Sequence, residues 1–171
     1  MNFLIKCFVI VSIFLPLFTI GCSGDSLETD FPQGCVAESY EFNGKSLVLN
    51  EGSTKQNLYL FHNISDKNLW LNHPISKDPG ASAGWASELN TRNWSALAIN
   101  AAATNMENFE ITCSRMDENG KTNHLDCRDT IKTCKVKEPV FNPENSGSFW
   151  VAENKPLSNL LDSIKSRGIS W

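Results

Sequence analysis

Gly80-Ala81-Ser82-Ala83-Gly84 matches the G-x-S-x-G pattern of serine hydrolases, and an acid (Asp117 or Asp126) and a histidine (His124) follow in the chain order that the reaction uses. The chemistry needs that serine on a sharp turn between a buried strand and a helix, so that a backbone amide faces the developing oxyanion. The context is missing. Residues His73 to Pro79 bring two prolines and no apolar run to feed such a turn, and Trp85 to Asn90 is short for the helix that must follow. Ser82 therefore stands as a hydrolase alternative, without the surroundings that would make it a catalytic residue.

The six cysteines are the second group with chemistry to offer. Residues 1–21 carry one early basic residue, Lys6, and then an uncharged run from Cys7 to Gly21 that contains Pro16, the pattern of a secretory signal. The run is shorter than the roughly 20 apolar residues of a membrane-crossing helix. Thr19-Ile20-Gly21 before Cys22 resembles a bacterial lipoprotein signal, with Thr19 in place of the usual aliphatic residue. Cys22 is then a lipidation site, followed by a polar tether over residues 22–34; ordinary cleavage near Gly24, which releases a free protein, is the alternative. Cys7 leaves with the leader, so Cys35, Cys113, Cys127 and Cys134 remain, and an even number in an exported chain points to two disulfides. If Glu118-Asn119-Gly120-Lys121 turns a hairpin, position 113 faces 126 or 127. The pairs are then Cys113 with Cys127, and Cys35 with Cys134. Zinc held by Cys127, Cys134 and His124 is the competing idea, but the chain has no C-x-x-C and its spacings match no common finger, so no metal or other cofactor is expected.

A third group lies between Asn72 and Asn93, a stretch rich in Gly, Ala, Ser, Asn and Pro, without periodicity, bracketed by Trp70 and Trp94. A loop of that length in a compact domain is usually functional or partly structured. His73, Trp85 and Trp94 are its candidate binding residues, since large aromatics dominate recognition surfaces; burial of Trp85 and Trp94 in the core is the plainer alternative. A glycan-binding module, the third functional reading, requires exposed tryptophans on one face.

The elements that must position these residues are mostly strands. Short β-branched and aromatic runs recur every ten or so residues: 45–49, 57–62, 68–71, 94–100, 107–115, 124–135 and 148–152. Phe109, Ile111 and Cys113 alternate with polar residues, as in a strand with one wet face, whereas Leu58-Tyr59-Leu60-Phe61 is apolar on both parities and belongs in the middle. Leu157, Leu160, Leu161 and Ile164 form a helical stripe over 156–167, with Asn154 as its cap and Gly168 as its stop. The fold expected is mainly β: one antiparallel β-sandwich over residues 35–171, with the C-terminal amphipathic helix packed on it.

Length and charge narrow the function. The 171 residues, less the leader, suffice for one domain. The chain's net charge is −4, and the leader's only charge is that of Lys6, so the remainder is one unit more negative and unsuited to nucleic acid. Lys121, Arg128, Lys132, Lys135 and Lys137 interleave with Asp117, Glu118, Asp126, Asp129 and Glu138, which describes a mixed-sign solvated ribbon.

The segments LYLFHNISDKNLWLNHP, GASAGWASELNTRNWSALAIN, FEITC and FWVAENKPLSNLL resemble the enhanced entry protein B (EnhB) family of Legionella-type bacteria, over roughly residues 55–167. The resemblance implies an exported envelope protein associated with entry into host cells, and it carries over no catalytic residue. Combined with the residue readings, the expectation is a non-enzymatic binding or structural module of the periplasm or outer membrane, or a secreted one. Its partner is a protein of the envelope or of host cells, and its membrane contact comes through an N-terminal lipid alone.

Overall fold

Leu58-Tyr59-Leu60-Phe61 decides the layering. All four are at most 1 % exposed, and successive side chains of a strand point to opposite faces, so both faces of this strand must be covered. A computed structural model describes residues 31–50, 56–73, 85–100, 108–142 and 149–171 and shows how. The first four strands are β1 (Cys35–Ala37), β2 (Glu41–Asn43), β3 (Ser46–Asn50) and β4 (Gln56–Asn63). Next come β5 (Leu69–His73), β6 (Trp85–Leu89), β7 (Trp94–Asn100), β8 (Asn108–Met116) and β9 (Thr122–Leu125). A one-turn helix α1 (Cys127–Thr130) leads into β10 (Ile131–Val136), then β11 (Val140–Phe141), β12 (Phe149–Lys155), the helix α2 (Leu157–Ser166) and β13 (Ile169–Ser170).

One antiparallel sheet runs β1-β10-β4-β7-β12, with β4 at its centre. A second runs β2-β3-β8-β5-β6, with β9 paired to β8 beyond the end of β3. Tyr59 and Phe61 of β4, with Leu97, Ile99 and Ile131, meet Leu47, Leu49, Leu69, Leu71, Leu89 and Ile111 of the second sheet, forming the interior of a sandwich. Leu58 and Leu60 face the other way, onto Leu160 and Ile164 of α2, Phe141 and Ile169. Ala96 and Ala98 of β7 lie on that same face, fully buried and small enough for the helix to approach closely. The expected sandwich with a packed helix is the architecture found, and its helix makes a third layer behind the first sheet.

Because β4 is apolar on both parities, alternation alone does not specify its register, and a slip by one residue would still bury apolar groups on each side. Its end residue does specify it. Asn63 is fully buried; its Nδ2 donates to the carbonyls of Lys67 and Leu89 at 2.9 Å each, and its Oδ1 accepts from the Ser65 amide and hydroxyl. A shift by one residue would leave these buried groups without partners, which is costly.

The structure corrects four local expectations. The 124–135 run is not one strand: Asp126 caps α1 by accepting from the Arg128 amide, so β9 and β10 lie on either side of a helical turn and belong to different sheets. Cys113 faces Leu125, not residue 126 or 127. Asn154 does not cap α2; it lies in β12, and its Oδ1 accepts from the Asn90 amide and the Asn93 side chain. Residues 31–34, read as the end of a tether, are built into the fold: Phe31 meets the Trp94 ring edge-on, and Gly34, at φ +83°, lies beneath Trp171, whose Cδ1 would be 2.6 Å from any added Cβ.

The disulfides are Cys35–Cys134 and Cys113–Cys127. The first ties edge strand β1 to β10 on the helix side; the second joins β8 to the start of α1 inside the sandwich. Bonds closing loops of 99 and 14 residues restrict the unfolded chain unequally. Replacing Cys35 and Cys134 together by Ala should cost about 4–5 kcal/mol, and replacing Cys113 and Cys127 about 3 kcal/mol. Urea unfolding of both double variants measures the order.

Candidate functional site

The stretch expected to be one long loop is half strand. β5 and β6 pair antiparallel from Leu69 opposite Leu89 to His73 opposite Trp85, making a hairpin whose tip, residues 74–84, lies outside the described residues. Ser82 is in that tip. The element after it is strand β6, where a serine elbow would need a helix. The other members of the hydrolase alternative are engaged elsewhere. Asp117 Oδ1 accepts from the amides of Asn119 and Lys121 and closes the β8–β9 turn, Asp126 holds Arg128, and His124 is exposed on β9. Cys22 likewise lies outside the described residues.

His73 and Trp85 are brought together as a register pair at the root of the hairpin tip. The His73 Nδ1 is 2.9 Å from the Glu110 carbonyl, and since that oxygen only accepts, Nδ1 carries the proton. Trp94 does not join them. It is 5 % exposed, stacks on His62 with ring centroids 4.4 Å apart at 11°, and packs on the helix side of the first sheet. A contact role for Trp94 is corrected accordingly: its strand parity takes it to the face that α2 covers.

An exposed aromatic of this hairpin is Trp70, which spacing arguments leave out. Leu69 and Leu71 are fully buried, and alternation leaves Trp70 between them on the outer face of the second sheet, 38 % exposed. The signal was present in the sequence as Leu-Trp-Leu, an apolar residue of the wrong parity for a half-buried strand. No element of the described residues covers that face. Its outward positions are Glu41, Asn43, Ser46 and Val48 on β2 and β3; Trp70, Asn72, Ala86 and Glu88 on the hairpin; and Glu110, Thr112, Ser114, Met116, Thr122 and His124 on β8 and β9. Trp171, also partly exposed, is elsewhere. With Pro32, Gln33, Leu161, Lys165 and Ser170 it lines a cavity of about 210 Å³, and its Nε1 donates to the Gln33 carbonyl at 2.8 Å. Trp70 and Trp171 thus do not share a face.

All four cysteines of the folded region are disulfide-bonded, so none offers a thiolate to zinc, and no cluster of three His, Cys, Asp or Glu side chains is present among the described residues. Nor is any described helix long and apolar enough to cross a membrane. On the exposed rim of α1, Arg128 grips Asp126 through Nε and Nη2 and lies 5.2 Å over the Phe42 ring. The Asp126 carboxyl falls to about 2, chiefly through the Arg128 side-chain hydrogen bond. This group staples α1 to the β2–β3 hairpin, with the Arg128 Nε and Nη2 both given to Asp126. The chain matches no family model, no curated protein and no solved structure.

One half-buried titratable group responds to pH. His62 has its Nδ1 enclosed without a partner, and burial lowers its pKa below 6.5; a backbone hydrogen bond with Arg92 opposes this, and Lys132, its register partner on β10, adds to it. A base whose folded pKa is depressed binds more protons unfolded, so its contribution is complete above pH 6.5 and is lost as the pH falls below that value. Thermal unfolding between pH 8 and pH 5 should show a decline in Tm below pH 6.5, and His62→Phe should flatten that part of the profile.

Proposed function

We propose that this chain is an exported, non-catalytic binding module of the bacterial envelope, which offers the β5–β6 hairpin to a protein partner. Support for export comes from the cysteines: four in the folded region, all paired, in bonds no more than 7 % exposed. Oxidised pairs of this kind persist outside reducing compartments. With the signal-like leader and Cys22, they fit a periplasmic or outer-membrane protein, lipid-anchored if Cys22 is acylated. The resemblance to the EnhB family adds an association with entry into host cells.

The observation that carries the binding role is the hairpin itself. Its register sets His73 against Trp85 at the two ends of an eleven-residue connection rich in Gly, Ala and Pro, and its body holds Trp70 out on a sheet face that no described element covers. Long tips on rigid strands are where recognition residues concentrate, and Trp is the residue most enriched at energetic centres of interfaces. The hydrolase alternative is weakened by the strand that follows Ser82.

Two measurements test the proposal. Purified oxidised protein and its Ser82→Ala variant should hydrolyse nitrophenyl esters and peptides at the same background rate; hydrolysis abolished by the substitution would end the non-catalytic reading. In-cell cross-linking should recover a protein partner that is lost when His73 and Trp85 are both replaced by Ala.

A further inference from the structure

The geometry points to a cation-recognition site on the outer face of the second sheet, in which Trp70 and Glu88 receive an arginine or lysine of a basic segment on the partner protein. The inference rests on the reading of the β5–β6 hairpin as the recognition element, and it names the chemistry of what the hairpin takes.

Four adjacent strands set one row of side chains across the sheet: His124 on β9, Ser114 on β8, Trp70 on β5 and Glu88 on β6, each the register partner of the next. Strands lie about 4.8 Å apart, and directly opposed side chains have Cβ atoms about 5 Å apart, so Glu88 and Trp70 leave the sheet as a directly opposed pair, within reach of one bound group. Glu88 is exposed and forms no ion pair among the described residues. An aromatic face with a carboxylate at its edge matches a guanidinium or ammonium group. The ring attracts the cation through its quadrupole, and the carboxylate supplies the counter-charge and accepts its N–H groups. Met116, 59 % exposed in the neighbouring row, offers soft apolar surface to the stem of such a side chain.

Charge complementarity selects this occupant over a sugar. Glu41, Glu88 and Glu110 all take outward positions on this sheet, and no Lys or Arg among the described residues takes one. The neutral polar groups beside Trp70 spend their hydrogen bonds within the sheet: Asn72 Nδ2 donates to Ser114 Oγ at 2.9 Å, and Thr112 Oγ1 donates to the Asn72 carbonyl at 3.4 Å. What remains open beside the ring is the carboxylate of Glu88; on the other side Ser114 intervenes before His124. A sugar needs a mixture of donors and acceptors around the aromatic platform, whereas a cation needs acceptors. The nearest cation to Trp70 on this sheet, Arg115, takes the opposite parity of β8 and donates its Nε to the Asn68 carbonyl at 3.2 Å, and Lys165 of α2 lies on the far side of the first sheet.

The test uses the full oxidised protein and three probes: an octapeptide alternating arginine with glycine, its glutamate counterpart, and chitohexaose. The arginine peptide should bind at low ionic strength and weaken about tenfold or more in 0.3 M salt, as exposed charges are screened. Trp70→Ala should weaken binding about five- to tenfold and Glu88→Gln about threefold, with unchanged urea unfolding midpoints. Asp162→Asn on α2, the same charge change on the opposite side, should leave binding as it was. Equal affinity in the Trp70, Glu88 and Asp162 variants would overturn the site, and so would Trp70-dependent binding of chitohexaose without the arginine peptide. A cross-linked partner lost with the His73/Trp85 double variant but indifferent to Trp70 and to salt would sink this inference and leave the binding module standing. Trp70-dependent binding of the peptide, with no hairpin-dependent partner in cells, would support the site and remove the broader proposal.

Discussion

A strand that is apolar on both faces cannot lie at a surface. Leu58, Tyr59, Leu60 and Phe61 each contribute on the order of 2 kcal/mol when removed from water, and since they alternate, half of that is lost unless something packs on each side. The second sheet covers Tyr59 and Phe61, and α2 with Phe141 and Ile169 covers Leu58 and Leu60. The order of layers, the position of β4 at the centre of its sheet and the small residues of β7 beneath the helix all follow from this demand. So does the location of any open surface. With both faces of the first sheet closed, the outer face of the second sheet is the broad β surface that the described elements leave to solvent.

Apolar burial sets the layers, and polar groups set the alignment within them. Asn63 ends β4 with four hydrogen bonds that hold in one register only, and Asn154 ties β12 to the turn before β7. The disulfides act at two further places where strand pairing alone is thin. β1 is a three-residue edge strand held to β10 by Cys35–Cys134, and the short β9 with its following helical turn is held to β8 by Cys113–Cys127. Short edges of this kind resist pairing with other chains but have little stability of their own, and a covalent bond compensates for it.

The tryptophans show how topology sorts one residue type into different roles. Trp94 begins β7 on the parity that faces α2 and stacks on the half-buried His62, where burial lowers the imidazole's pKa. Trp171 closes over Gly34 and pins the segment that leads into β1. Trp70 alternates outward from two buried leucines. Size and hydrophobicity are the same in all three, so what separates structural from recognition roles is the face of the sheet and whether another layer covers it.

Much of the fold was legible in local pattern, because strand and helix periodicities are properties of neighbouring residues. The doubly apolar β4, the alternating β8, the helical stripe of α2 and its stop at Gly168 (φ +75°) can all be read that way. The even number of cysteines and the Asn-Gly turn led to both disulfide pairs. The candidate site was legible only in part. Aromatic composition around the loop points to His73 and Trp85 but groups Trp94 with them, and it gives Trp70 only the place of a boundary. The sequence by itself determined which residues must be buried and on what period, since that depends on side-chain chemistry along a few residues of chain. Which of the buried faces met which, that Asp126 would break one long run into two strands of different sheets, and that one sheet face would be left without a cover by the described elements were decided by tertiary structure, because each depends on contacts between residues far apart in the chain.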